Sequence, residues 1–117
     1  MNKRETGAQK EKQVCAYLVC VRIREQNFRC RQGEIALIGY DGEYLVFFEV
    51  KYRSSNNKGS AAQAVGLTKQ KKICRVADYF RMLHHCAEDT PIRFDVVAVE
   101  NGQLKWIRDA FTYIGLV

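Results

Sequence analysis

The segment GEIALIGYDGEYLVFFEVKYR, residues 33–53, constrains the fold of this chain more than any other feature. Two apolar runs flank Asp41-Gly42, and such a pair predicts a hairpin with a two-residue type I′ turn. The first run predicts a strand that extends to about Tyr40. The second run, from Tyr44 to Lys51, is apolar almost throughout, which indicates a strand that is covered on both faces and central in its sheet.

Helical spacing marks two other segments. Val14, Tyr17, Leu18 and Val21 recur at helical intervals, which predicts a helix over residues 5–25. Residues 68–85 predict a second helix, with Thr68 as its N-cap residue. The predicted apolar side of this helix consists of Ile73, Val76, Ala77, Phe80 and Leu83.

The remaining strands are predicted to be short. Residues 28–30 predict an edge strand, residues 92–99 a strand after Pro91, and residues 104–107 a last strand before a packed tail. Asn101-Gly102 predicts a second hairpin turn. Residues 53–60 predict a polar loop, and residues 61–65 a short helix. Because a helix connects the strand ending near Lys51 to the strand at residue 92, these strands are predicted to be parallel, within a small mixed sheet.

Composition indicates the class of protein. The 117 residues suit one domain, residues 1–117, and no run of about 18 apolar residues predicts a membrane-spanning helix. The polar N-terminal segment lacks an apolar signal core, and the five cysteines include no CxxC pair, so a cytoplasmic protein with reduced thiols is expected. A zinc site at His84, His85 and Cys86 is disfavoured, because three consecutive helical residues point in different directions.

The charge balance favours polyanionic partners. The formal net charge is +6 at pH 7, and a basic domain of this size attracts nucleic acid. The best candidate phosphate-binding surface consists of Lys58, Lys69, Lys71, Lys72 and Arg75. Arg53 is placed to clamp a phosphate or to pair with Glu49. The alternative explanation of such a run is a solvated helix face.

Glu49 and Lys51 end the second strand of the hairpin with opposite charges on one face, because side chains alternate along a strand. One interpretation is a structural ion pair at a sheet edge. The other is a site for phosphodiester cleavage, because that chemistry needs oxygen ligands for magnesium and a cation near the attacking water or the phosphate. On the neighbouring strand, Glu34 and Ala36 share a face.

The chain resembles the bacterial UPF0102 (YraN-like) family, small proteins related to archaeal Holliday junction resolvases of the PD-(D/E)xK nuclease superfamily. The matching motifs are Glu11 with Tyr17-Leu18, GEIALI at 33–38, FEVK at 48–51 with Arg53, Thr68-Lys69-Gln70, RFDVV at 93–97, and Asp109-Ala110-Phe111. The resemblance covers nearly the whole chain. It implies an α/β fold with a restriction-endonuclease-like core, in which a small mixed sheet is flanked by helices.

The resemblance also implies site residues. Glu49 would bind Mg²⁺ or Mn²⁺, Lys51 would act at the attacking water or the phosphate, and Glu11 would support them from the first helix. The family's metal-binding Asp falls on Ala36, and a methyl group cannot bind magnesium.

Two carboxylates are candidate replacements for the missing ligand. Glu34 lies about 7 Å along the strand from Ala36, and Asp95 could approach from a neighbouring strand. Asp95 also has a structural interpretation, as a partner of Arg93 or of a helix end.

Three functions follow from these features. The first is a metal-dependent, structure-selective DNA endonuclease of the resolvase type, impaired by Ala36, acting on branched or double-stranded DNA and, as the resemblance suggests, as a homodimer. The second is a catalytically inactive nucleic-acid-binding module of the same fold. The third is an interaction protein whose basic face meets an acidic protein partner.

Overall fold

The computed structural model describes residues 11–53 and 65–116, which form a five-stranded sheet and two helices. The strands are β1 (Arg22–Cys30), β2 (Gly33–Asp41), β3 (Tyr44–Arg53), β4 (Ile92–Glu100) and β5 (Gln103–Phe111). Helix α1 occupies residues 11–17 of the described part, and helix α2 spans Leu67–Leu83. The strands lie in the sheet in the order of the sequence.

The sheet is mixed, as the sequence predicts. β3 and β4 run parallel, and every other neighbouring pair is antiparallel. The helix-containing connection between β3 and β4 explains this, because a short turn cannot join parallel neighbours. β3 is the central strand, as its continuous apolar character indicates. The α/β fold with a small mixed sheet flanked by helices is therefore confirmed, and it is consistent with a restriction-endonuclease-like core.

Two apolar clusters hold the helices on opposite faces of the sheet. On the α2 side, Phe47 and Phe94 pack with Phe80 of the helix. On the α1 side, Phe48 and Val97 pack with Val14 of the helix. Phe47 and Phe48 are adjacent in β3 and belong to different clusters. Successive side chains of β3 therefore point alternately to the α2 side and the α1 side of the sheet.

The two hairpin turns differ. Asn101 and Gly102 both have positive φ, 52° and 77°, as a type I′ turn requires. In the other hairpin Asp41 is still paired with Tyr44, so the turn consists of Gly42 and residue 43. Within it only Gly42 has positive φ, which is the pattern of a type II′ turn. The type I′ prediction is wrong there, because the Asp41 carboxylate is held in the strand by an ion pair with Arg93.

Of the helix predicted over residues 5–25, positions 5–10 lie outside the described residues, positions 11–17 are helical, and the prediction is wrong beyond residue 17. The chain leaves α1 there, and Arg22 begins β1, which pairs with β2 from Arg22 opposite Tyr40 to Cys30 opposite Gly33. The edge-strand prediction for residues 28–30 was right in position and too short. β2 would otherwise have an unpaired edge, and seven of the nine residues of β1 pair with it.

Other predicted boundaries also shift. Thr68 is not the N-cap of α2: that residue is Gly66, and the Gln70 side-chain nitrogen donates to the Val65 carbonyl at 2.8 Å. Leu83, the last residue of α2, is half exposed, whereas Cys74 is fully buried. β5 continues past residue 107 to Phe111, because Phe111 pairs with Phe94 across the ladder.

Two predictions fall outside the described residues. The polar loop at 53–60 and the short helix at 61–65 involve residues 54–64, of which the structure describes none. In the described ranges, no helix is long and apolar enough to cross a membrane.

Candidate metal and nucleic-acid site at a fork between strands

The candidate site lies where the two central strands separate. β2 pairs with β3 from Asp41 opposite Tyr44 as far as Leu37 opposite Phe48. Beyond that point β2 continues along β1 to its first residue, and β3 continues along β4 to its last. The first residues past the separation are Ala36 on β2 and Glu49 on β3. We call this place, with Lys51 of β3, the fork.

Glu49 and Lys51 share the α2 side of the sheet, because Val50 between them packs in the α1-side cluster. The Glu49 side chain is only 14% exposed, and its Oε2 lies 3.5 Å from Nζ of Lys69 in the first turn of α2. Lys51 is half buried. The sequence correctly predicts one shared face, but the ion-pair partner of Glu49 comes from α2 and not from its own strand.

The α1 side of the fork contains a pocket of about 170 Å³. Its walls include Glu11 of α1, Asn27 of β1, Ala36 and Tyr52. The Asn27 side-chain amide donates to the Glu11 carboxylate at 3.4 Å, and Asn27 has a positive φ of 53°. The pKa of Tyr52 is raised, first by burial and then by the charge of Glu11. The structure therefore brings Glu11 and Ala36 together and places Glu49 and Lys51 on the other side of β3.

Glu34 lies at the far end of β2. It is opposite Arg29 in the β1–β2 ladder, and Arg29 Nε is 3.0 Å from its Oε2. Both side chains are well exposed, so the pair contributes little to stability and is readily exchanged for another partner.

Asp95 is fully buried and accepts four hydrogen bonds. Its Oδ1 accepts from Arg93 Nε and from the backbone N–H of Asp109, each at 2.9 Å. Its Oδ2 accepts from an Arg93 Nη and from Trp106 Nε1, each at 2.8 Å. The hydrogen bonds to Asp95 are the main cause that raises the pKa of Arg93 above its usual value.

Asp95 therefore has the structural role and is a poor candidate for the missing metal ligand. It lies opposite Phe48 in the ladder and on the α1 side, whereas Glu49 faces α2. Both of its oxygens are already used by donors, and freeing them would remove one of the two carboxylates with which Arg93 pairs.

The predicted phosphate-binding surface is divided. Lys71 and Lys72 are exposed on α2. Arg75 instead binds the C-terminal segment, since it donates to the Ile114 carbonyl, lies 3.2 Å from Asp78 and stacks over the Tyr113 ring. Lys58 and the side chain of Arg53 lie outside the described part of the chain.

The structure adds one cation that sequence reasoning missed. Lys51 is opposite Ala98 in the parallel ladder, and Ala98 is opposite Lys105 in the next one. Opposite residues share a face, so Lys105 lies on the α2 side about 10 Å from Lys51, two strand spacings away. The Asn101-Gly102 turn was a signal for the β4–β5 register, but nothing local in the sequence fixes the register of β4 against β3.

No group of three or more His, Cys, Asp or Glu side chains in residues 11–53 and 65–116 is arranged to hold a metal ion. The burial of Cys15, with the charge of Glu11, raises the pKa of that thiol.

The sheet has five strands, is mixed and lies between two helices, and it has charged side chains where β2 and β3 separate. This architecture is that of α/β proteins with a core like that of restriction endonucleases. Residues 10–99 match the model of the uncharacterised protein family UPF0102. The chain belongs to this family.

Relatives match along almost the entire chain. A UPF0102 protein of Lachnoclostridium phytofermentans is 38% identical over 117 residues, covering 98% of this chain and 99% of the relative. One from Saccharophagus degradans is 43% identical and covers 92% of this chain and 93% of the relative. One from Xylella fastidiosa is 42% identical, with 95% of both chains covered.

Proposed function

We propose that this protein acts on DNA at the fork, as a metal-dependent, structure-selective endonuclease of the Holliday-junction-resolvase type whose cleavage step is impaired by Ala36. The observation that carries the proposal is the separation of β2 and β3, which leaves an opening with Ala36 on its α1 side and Glu49 and Lys51 on its α2 side. A carboxylate and an ammonium on one strand face are the groups that metal-assisted phosphodiester hydrolysis uses.

The residues at the fork fit a divalent cation incompletely. Glu49 would hold the ion, but it already has an ammonium partner, and Ala36 offers a methyl group where a second carboxylate is needed. Magnesium usually takes one or two carboxylates together with waters and substrate phosphates. When bound, the metal would activate water for attack on phosphorus. With one carboxylate in place, weak metal binding and slow cleavage are the expected consequences.

The charge distribution supports DNA as the partner. Lys51, Lys69 and Lys105 lie on the α2 side, and Lys71 and Lys72 are exposed on the same helix as Lys69. Cations of this kind contact phosphates and position DNA without reading its sequence. We extend the proposal to a homodimer on branched DNA, because a four-way junction offers two equivalent strands for cleavage.

A second candidate is a DNA-binding module without cleavage. The specific observation in its favour is the Glu49–Lys69 pair, which satisfies the carboxylate without metal. The two functions share the same binding surface and differ only in the chemical step.

One experiment tests both candidates. A labelled four-way junction and a matched duplex are incubated with Mg²⁺ or Mn²⁺ and either the wild-type chain or Ala36→Asp, with Ala36→Asp/Glu49→Gln as the matched control. Junction binding by both forms, with cleavage only by Ala36→Asp and loss of cleavage in the double variant, is the expected result.

Other outcomes discriminate between the candidates. Cleavage by the wild-type chain would assign the ligand role to another residue, and Glu34→Gln would test it. Binding without cleavage by either form favours the inactive module. Absence of binding at low salt by both forms rejects DNA and favours an acidic protein partner.

A further inference from the structure

The Glu49 carboxylate already has a cation of the protein itself. Lys69 Nζ lies 3.5 Å from its Oε2, and the Glu49 side chain is 14% exposed while that of Lys69 is 48% exposed. A carboxylate this far removed from water needs a compensating charge. Lys69 supplies that charge from the first turn of α2, a part of the helix that contains no acidic residue.

The ligands available at the fork favour this ammonium over a divalent cation, because no group of three or more His, Cys, Asp or Glu side chains is gathered in the described residues. A divalent cation must give up bound waters, and it needs several oxygen ligands in return. At the fork Ala36 of β2 has only a methyl group and lines the pocket on the α1 side, so it offers an ion at Glu49 no oxygen ligand. An ammonium needs a single carboxylate, and Lys69 is attached to the fold, so its local concentration at Glu49 is high. The ammonium is therefore the better match to the residues present.

The remaining charge at the fork is positive. Glu49 contributes one negative charge, and Lys51 on the same strand face and Lys69 contribute one positive charge each. Lys69 is half exposed, so its ammonium can contact an anion from solvent while it stays near Glu49. A phosphate oxygen complements two ammonium groups, and it needs no bridging metal to approach them.

We infer that the Lys69 ammonium takes the place of the divalent cation at Glu49, and that the fork binds a DNA phosphate through Lys51 and Lys69 without metal. The part of this inference that concerns DNA rests on the proposed function. The part that concerns Glu49 and Lys69 stands on their contact alone. Within the proposed function, it attributes impaired cleavage to an ammonium in the place of the catalytic ion, in addition to the lost ligand.

Metal binding is the first test, and its readout does not depend on activity. Mn²⁺ is titrated into the wild-type chain, Lys69→Met and the matched control Lys12→Met, and free Mn²⁺ is measured by electron paramagnetic resonance. Lys12 is an exposed lysine on α1, the helix on the opposite side of the sheet. We expect Lys69→Met to bind Mn²⁺ at least about tenfold more tightly than the other two chains. Equal titrations of the wild-type chain and Lys69→Met would overturn the inference.

DNA binding is the second test. Affinity for a labelled four-way junction is measured by fluorescence anisotropy in EDTA and in Mg²⁺ at equal ionic strength. We expect the wild-type chain to bind equally in both, Glu49→Gln to bind about three- to fivefold more tightly, and Lys69→Met to bind more weakly than Lys12→Met. A resident metal at Glu49 predicts the opposite for Glu49→Gln, which would then lose affinity in Mg²⁺.

The two tests separate the inference from the proposed function. Junction binding that disappears in EDTA, or that weakens in Glu49→Gln, contradicts the metal-free phosphate site. If no variant binds the junction, the proposed function fails, and the Mn²⁺ titrations still decide whether Lys69 replaces the metal.

Discussion

Asp95 is the residue on which one end of the sheet depends. It is fully buried, and it accepts two hydrogen bonds from Arg93 of β4 and two from β5, one from Trp106 and one from Asp109. A fully buried polar side chain needs hydrogen-bond partners in place of water, and these donors supply them for both oxygens. The network also includes Asp41, which Arg93 contacts at 2.7 Å, so it joins β2 to β4 across the central strand.

We predict that Asp95→Asn lowers the free energy of unfolding by about 3–5 kcal/mol, because it removes one of the two carboxylates that pair with Arg93 and turns an NH₂ group toward existing donors. Urea denaturation followed by far-UV circular dichroism measures this. Asp89→Asn, at an exposed position before β4, is the control and is expected to change stability by less than about 0.5 kcal/mol. Similar small effects for both variants would refute the structural role of Asp95.

Residue-scale prediction from sequence succeeded where the signal is local. Asn101-Gly102 predicted its turn because two positive φ angles are required side by side. Asp41-Gly42 had the same signal, and its turn shifted by one residue because Asp41 is held by Arg93, 52 positions away. No property of the dipeptide could reveal that partner.

At the scale of elements, the close approach of β1 to β2 depends on Gly39. A Cβ at this position would lie 2.7 Å from the Arg22 carbonyl oxygen and 2.8 Å from a Val21 methyl group. The carbonyl belongs to the backbone and cannot move alone, so a side chain here would push β1 away from its partner.

We predict that Gly39→Ala destabilises the protein by about 1–3 kcal/mol through this overpacking. Hydrogen exchange should accelerate first in the amides of β1, the edge strand. Gly66→Ala is the control, because an added Cβ there meets no atom within 4 Å and the φ of Gly66 is −68°. If the two variants exchange and unfold alike, the contact with Arg22 is not limiting.

The end of the first helix was predicted wrongly for a reason that lies in its apolar spacing. Val14, Leu18 and Val21 all pack in the α1-side cluster, and their spacing is helical, yet Val21 follows the end of the helix. Side chains placed by a helix and by the turn after it can cover the same apolar surface. The strand that follows was hidden because its alternation is interrupted: Gln26 and Asn27 are both exposed, and Asn27 has a positive φ of 53°.

At the scale of the whole molecule, positive charge from distant parts of the chain meets on the α2 side of the sheet. Lys51, Lys69 and Lys105 come from β3, α2 and β5, and the net charge of the chain is +6. The proposed function makes these cations phosphate contacts, which release counterions on binding, so we expect the logarithm of DNA affinity to fall linearly with the logarithm of salt concentration.

We predict that Lys105→Gln weakens junction binding and reduces the slope of log K against log [salt] by about 1, as the loss of one phosphate contact requires. Fluorescence anisotropy over a range of salt concentrations measures the slope. Lys12→Gln removes the same charge from α1 and should leave the slope nearly unchanged. A slope that Lys105→Gln does not alter would remove Lys105 from the DNA-binding surface.

The sequence by itself determined the β2–β3 hairpin, the central position of β3, the parallel β3–β4 pair and the second helix, because hydrophobic periodicity and connection length act over short stretches of chain. It also determined that Glu49 and Lys51 share a face and that Ala36 lacks a carboxylate. Only the tertiary structure decided that Lys69 is the ion-pair partner of Glu49 and that Asp95 lies on the α1 side of the sheet, opposite to Glu49. It also decided that Lys105 lies on the α2 side, as Lys51 does. The reason is physical: a charge takes the partner that folding brings near, and that partner lies on another element.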